Sequence, residues 1–269
     1  MTQPLVHPTP AATDADGAAV PILRVQGLGH RYGERQVLSG LDFEVARGEL
    51  MCIVGPSGVG KTTLLECLTG LRRPSEGTVL FDGAPIDSPP RGLAIVFQDY
   101  GRSLMPWLSV LENVTLPLRS AGLGKKEREQ AGREALAEVG LADATDSYPW
   151  QLSGGMQQRV AIARALAYRP SAVVMDEPFA SVDAQTRADL EDLLLRVREH
   201  LGITVLLVTH DIDEAVYLSD RVLALGGKPA GIREMLTVDL PSPREQVATK
   251  ALPGFAELRS RVYRLIRHV

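Results

Sequence analysis

Met51-Cys52-Ile53-Val54-Gly55-Pro56-Ser57-Gly58-Val59-Gly60-Lys61-Thr62-Thr63-Leu64-Leu65 runs from a short apolar stretch, through a glycine-rich turn, into good helix formers. Gly55 to Thr62 fit the pattern G-x-x-x-x-G-K-[ST]. The glycines let the backbone wrap closely around phosphate oxygens with its N–H groups inward, and a following helix adds positive partial charge at its start. Lys61 is then a point charge for the β- and γ-phosphates, and the Thr62 hydroxyl a Mg²⁺ ligand. Gly55, Pro56, Ser57, Gly58, Val59, Gly60, Lys61, Thr62 and Thr63 are therefore the candidate nucleotide contacts. By average residue usage a chance match is about 1 in 100, and the strand–loop–helix context argues further against an empty glycine turn.

Outward from the loop, strand and helix signals alternate. From Ile22 to Val45 the pattern is β-like, with turn signals at Gly27, Gly33, Gly40 and Gly48, and Leu41, Phe43 and Val45 alternate with Asp42 and Glu44. The helix-prone stretch from Lys61 reaches Thr69 and stops at Gly70. Thr78–Phe81 and Leu93–Phe97 are further strand candidates. Between about Tyr100 and Arg169 helical patterns take over, the strongest being KKEREQAGREALAEVG at 125–140. Continuous apolar runs at Ala172–Met175, Thr204–Val208 and Val222–Leu225 read as strands covered on both faces. Between them lie helical patterns such as Leu190, Leu193, Leu194, Val197 and Leu201. The fold class expected is α/β: a parallel-sheet core around the phosphate loop, an antiparallel β subdomain ahead of it, and a helical subdomain inserted at about 100–169.

Ser171-Ala-Val-Val-Met-Asp176-Glu177 is a buried strand ending in two carboxylates. Asp176 is placed to hold Mg²⁺ directly or through water, and Glu177 to polarise a water for in-line attack at the γ-phosphate. Alone, such a run is as often a solvated strand end; beside a phosphate loop the catalytic reading is favoured.

Leu152-Ser153-Gly154-Gly155-Met-Gln-Gln-Arg159 opens the helix that carries Val160, Ile162, Ala163, Ala165 and Leu166. A serine and two glycines at a helix start make a second anion site: a hydroxyl, accessible N–H groups and a dipole. A plain N-cap would account for Ser153 but not for the glycines or the Gln-Gln-Arg that follows. Here the chain resembles the nucleotide-binding subunit of an ABC transporter, and the resemblance spans about residues 22–245. It implies an ABC-type nucleotide-binding domain over 21–245. It also implies that Tyr32 stacks on adenine, and that Gln98 senses Mg²⁺ and the γ-phosphate and couples to a membrane partner. Asp183 would lie at a dimer contact, and His210 would contact the γ-phosphate. In such a pair Ser153, Gly154 and Gly155 of one copy complete the ATP site on the other, so the partners implied are a second copy, ATP and Mg²⁺, and transmembrane permease subunits.

Within that family, MPWLSVLENV (105–114), MDEPFASVDAQTR (175–187) and VTHDIDEAVYLSDRV (208–222) look most like nitrate, sulfonate and taurine importer ATPases, and PSPRE (241–245) agrees. The resemblance implies a subunit on the cytoplasmic face of the cell membrane, indirectly served by an extracytoplasmic solute-binding protein. An exporter ATPase and a non-transport ABC ATPase are the alternatives. Two departures stand out: DYGRSLMP between Gln98 and Trp107 is about two residues longer than that group's pattern, and Val182 replaces the usual leucine.

Composition sets limits. The net charge of −4 gives no overall basic excess to neutralise phosphates, so no nucleic-acid partner is expected. Cys52 and Cys67 are too few for a disulfide framework and read as reduced core residues. Residues 1–20 lack the basic start and apolar centre of a secretory signal and read as a disordered leader. No run of about 18 apolar residues suits a membrane span. Residues 246–269 read as an amphipathic C-terminal helix, with Phe255, Leu258, Val262, Leu265, Ile266 and Val269 in its apolar stripe, packed on the domain rather than on a membrane surface.

Overall fold

The computed structural model of the protein describes residues 20–267; the expected leader, save Val20, and Val269 of the stripe lie outside the described residues. The described chain divides into two compact units, 20–91 with 203–267, and 92–202.

The first unit opens with β1 (Leu23–Tyr32) and β2 (Arg35–Val45), followed by β3 (Leu50–Val54), α1 (Lys61–Leu68), β4 (Glu76–Phe81) and β5 (Ala84–Pro85). β2, β1, β4 and β5 form an antiparallel sheet in that order. The alternation read at Leu41, Phe43 and Val45 is that of β2, with these three buried and Asp42 and Glu44 exposed. α1 ends where the sequence turns at Thr69-Gly70.

The second unit begins at β6 (Leu93–Val96) and continues through α2 (Tyr100–Ser103), α3 (Val110–Thr115), α4 (Lys125–Glu138), α5 (Gly154–Ala167), β7 (Ala172–Asp176) and α6 (Ala184–Leu201). β6 and β7 are parallel, with Val96 opposite Met175. α3 starts on a reciprocal cap, Glu112 N–H to Ser109 Oγ and Ser109 N–H to Glu112 Oε2. Buried Asn113 then closes the preceding loop, accepting from Met105 N–H and donating to the carbonyls of Met105, Leu108 and Ser109. α5 buries the apolar residues its sequence marks, and Arg159 on it caps the end of α4 by donating to the Val139 carbonyl at 3.0 Å.

The chain then returns to the first unit with β8 (Thr204–Val208), α7 (Ile212–Leu218), β9 (Arg221–Gly226), β10 (Gly231–Thr237), α8 (Gln246–Lys250) and α9 (Pro253–Arg267). β3 lies between β8 and β9, parallel to both, and β10 pairs antiparallel with β9. Every residue of β3 and β8 is buried, as the continuous apolar runs require of strands covered on both faces. The start of β3 is pinned by Arg221, which donates to both carboxylate oxygens of buried Glu49 at 2.5 and 2.9 Å.

The C-terminal segment corrects the expectation of one helix over 246–269. It is two helices, broken at Ala251-Leu252, because Pro253 has no N–H to continue α8 and its ring disfavours a helical residue before it. Phe255 and Val262 are buried, Leu258, Leu265 and Ile266 half-buried, and α9 packs on α7 and β9.

Candidate functional site

In the first unit the phosphate-type loop leaves the end of β3 and enters α1. Gly55 sits so close to β9 that a Cβ there would lie 3.0 Å from the Leu225 carbonyl. Gly60 has φ +113°, a backbone open to glycine, and an added Cβ would press on Val37 and Leu38 at 2.9 Å. Gly60 is also the N-cap of α1, with no side chain to cap it, and no acid stands in the first turn. The leading N–H groups and the positive end of the helix are thus left to an outside anion. Lys61 is only 8% exposed, and its Nζ donates to the carbonyls of Gly55 at 2.9 Å and Pro56 at 3.3 Å. Ser57, Gly58 and Thr62 are exposed, Pro56 and Val59 half-buried and Thr63 buried. Tyr32, at the end of β1, is 45% exposed, with its hydroxyl 3.4 Å from Thr63 Oγ1.

His210 follows β8, whose partner β3 leads into the loop, so both exit the sheet at the same carboxyl edge. That edge is where ligands bind in open parallel sheets. Thr209 anchors the turn, its N–H donating to the Ile53 carbonyl at 3.1 Å and its Oγ1 accepting from Asp211 N–H at 3.0 Å, and leaves His210 exposed.

In the second unit the parallel pair β6 and β7 brings Gln98 and Glu177 together, although 79 residues separate them. Gln98 Nε2 donates to Glu177 Oε2 at 3.2 Å. Glu177 has φ +44°, left-handed backbone that costs a non-glycine residue about 1–2 kcal/mol. The turn is held by Ala180 N–H donating to the Glu177 carbonyl at 3.2 Å and by buried Pro178 and Phe179. Asp176, the last residue of β7, is half-buried.

Ser153 is the N-cap of α5, its Oγ accepting from Met156 N–H at 3.3 Å; Ser153 and Gly154 are exposed. Gly155 is required by packing: a Cβ there would lie 2.3 Å from Thr186 Cγ2 on α6. Thr186 in turn donates through Oγ1 to Asp183 Oδ2 at 2.7 Å. Asp183 caps α6, accepting from the N–H groups of Gln185 and Thr186 at 3.1 and 3.0 Å. These bonds, Thr186's backbone N–H foremost, hold its carboxyl below the usual aspartate range.

Among the described residues no three His, Cys, Asp or Glu side chains gather into a metal cage. Thr62 in the first unit offers an exposed hydroxyl and Asp176 in the second a half-buried carboxylate, each a hard oxygen of the kind Mg²⁺ uses alongside phosphate oxygens and water. Sequence reasoning missed Arg72, which lies over the Tyr32 ring; it noted Gln157 only within the Gln-Gln-Arg after the glycines, and here the Gln157 Nε2 donates to the carbonyls of Pro149 and Leu152 and fixes the turn before Ser153. Arg72 carries no local pattern, since it acts on a residue separated from it by β2, β3 and α1.

Residues 38–180 match the family described as ABC transporter. An uncharacterized ABC transporter ATP-binding protein of Methanocaldococcus jannaschii is 46% identical over 232 residues, 86% of this chain and 85% of that one. The aliphatic sulfonates import ATP-binding protein SsuB 1 of Xanthomonas axonopodis pv. citri is 46% identical over 231 residues, 85% of this chain and 90% of that one. The bicarbonate transport ATP-binding protein CmpC of Synechocystis sp. is 43% identical over 233 residues, 86% of this chain but 35% of that longer protein. Among solved structures, CbiO1 from Clostridium perfringens, part of the ABC transporter complex CbiONQ, superposes with TM-score 0.75 at 32% identity, covering 81% of this chain and 89% of that one. A dimeric ATP-binding cassette in a post-hydrolysis state with ADP and Pi gives TM-score 0.69 at 32% identity, covering 80% and 98%. An uncapped helix start behind a glycine loop, and likeness over more than four-fifths of the chain, lead to one conclusion: this protein belongs to the ABC transporter ATP-binding family and is an ATPase.

Proposed function

We propose that this chain is the ATP-hydrolysing subunit of a membrane importer for a small anion, working as a homodimer on the cytoplasmic face. The observation that carries the catalytic part is the Gln98–Glu177 hydrogen bond at the ends of two parallel strands, an amide donating to a carboxylate. In this reading the loop N–H groups and Lys61 bind the phosphates, Tyr32 stacks on the adenine, and His210 contacts the γ-phosphate. Glu177 takes the proton of the attacking water, which adds to the γ-phosphorus as the bond to the β-phosphate oxygen breaks. Mg²⁺, held by Thr62, Gln98 and Asp176 with the phosphates, would neutralise charge on the leaving oxygens. Ser153, Gly154 and Gly155 of a second copy, with Asp183 beside them, complete the site. ATP binding closes the pair and hydrolysis releases it.

Import is supported by the likeness to a protein named for aliphatic sulfonates import, and the small-anion class by that name together with the bicarbonate relative. No described helix is long and apolar enough to cross a membrane, so permease subunits would supply the channel and an external binding protein the solute. The test is purification of the tagged chain from native membranes, followed by reconstitution of whatever membrane protein accompanies it. Uptake that needs ATP on the cassette side and a binding protein on the other is the expected result. ATP-driven movement away from the cassette side would identify an exporter, and stimulation of ATPase by DNA or ribosomes a non-transport ATPase.

A further inference from the structure

The Tyr32 ring is held from three directions. The Arg72 guanidinium lies over it, 4.8 Å from the ring centroid. The His30 imidazole meets it edge-on, with centroids 4.8 Å apart and planes at 82°. The hydroxyl reaches Thr63 Oγ1 in the first turn of α1. Arg72 is itself fixed twice to one residue of α1: its Nε donates to Glu66 Oε2 at 2.5 Å and its backbone N–H to the Glu66 carbonyl at 3.0 Å. His30 is braced by Ser75, whose Oγ lies 3.4 Å from Nδ1 and also accepts the Arg31 N–H at 3.2 Å. Held by a cation over one face, a T-shaped contact with His30 and its hydroxyl, Tyr32 nevertheless stays 45% exposed.

We propose that Arg72 is a positioning residue for base binding: it covers one face of Tyr32 and presents the other to the adenine of ATP. The inference rests on the reading of Tyr32 as the adenine platform. A tyrosine free to turn must be immobilised when the base binds, and a ring already pinned by a cation, a T-shaped imidazole contact and a hydroxyl contact has little freedom left to lose. The guanidinium suits this role because it is planar and can lie flat on the ring while both its Nε and its backbone are anchored; a lysine ammonium supplies charge without the flat contact.

Calorimetric titration with ATP and with inorganic tripolyphosphate, which has no base, separates the base-dependent part of affinity from the phosphate part. Arg72→Leu is expected to weaken ATP binding about two- to five-fold while leaving tripolyphosphate unchanged, with the loss in KM for ATP rather than in kcat. Arg72→Lys should recover part of it. In a Tyr32→Leu background Arg72→Leu should cost nothing more, since the contact it removes is already gone. Glu66→Gln, which loosens Arg72 from outside the ring contact, should act in the same direction with smaller size and serves if Arg72→Leu does not fold. Tighter ATP binding in Arg72→Leu would mean that Arg72 covers the face the base needs. An equal loss for tripolyphosphate would make Arg72 a phosphate contact. Either overturns the proposal. Weakening by Tyr32→Leu with none by Arg72→Leu removes the proposal alone, whereas no effect of Tyr32→Leu removes the adenine reading and the proposal with it.

Discussion

The helices α1 and α6 start in opposite ways. α1 begins on Gly60, which has no side chain to offer, and carries no acid in its first turn. α6 begins on Asp183, whose carboxylate takes two backbone N–H groups and the Thr186 hydroxyl. α5 is intermediate in kind, capped by one long bond from Met156 N–H to Ser153 Oγ. A helix start has several N–H groups that nothing inside the helix can satisfy. Where the chain satisfies them itself, the end is a structural joint; where it leaves them open, they are available to water or to an anion from outside. The two units differ in charge in the same sense: the open start is backed by buried Lys61, and the unit of the closed start carries Asp176 and Glu177.

On the proposed reading this contrast divides binding from turnover, and mutations can break the division. The largest effect is expected for Glu177→Gln, which should lower ATP turnover by roughly 10²- to 10⁴-fold while ATP still binds and the ATP-bound pair lasts longer. Normal turnover in steady-state assays would remove Glu177 from its role as base. Lys61→Ala should do the reverse and weaken ATP binding by roughly 10- to 100-fold, measured by equilibrium titration; an unchanged affinity would make the loop cation dispensable. Asp183→Ala opens the closed start. It should lower the melting temperature by about 2–4 °C at neutral pH. The Asp183 carboxyl is held below its usual range, so the capped state is favoured above the unfolded pKa. The gap between wild type and variant should therefore close as pH falls through the folded value. A gap that widened in acid would contradict the cap. The smallest effect concerns Cys52 and Cys67, both buried, the latter pushed up to about 11 chiefly by desolvation. Thiol reagents at neutral pH should reach neither before unfolding; labelling of the native protein would show that the core around β3 and α1 opens.

Much of the fold was legible because burial writes a period into the sequence. β3, β7 and β8 are covered on both faces and appear as unbroken apolar runs, and β2, covered on one, alternates. β10 escaped notice because it pairs on one side only with β9, and Arg233 and Glu234 interrupt its apolar residues. β1 escaped as a continuous strand because its register slips three times against β2, which breaks any period of two. At the site, the loop could be read whole because all its parts are contiguous. The Gln98–Glu177 bond could not, since it joins the ends of two strands far apart in sequence, nor could the clamp of Arg72 on Tyr32. The second signature glycine was read as access for an anion, and the structure adds a packing reason, the close approach of Thr186.

The buried ammonium of Lys61, bonded to two carbonyls of its own loop, has a consequence for the protein at rest. The loop closes on its own cation, so the chain itself contributes to holding its shape. Nucleotide then stabilises the fold only by mass action, growing with the logarithm of its concentration over Kd.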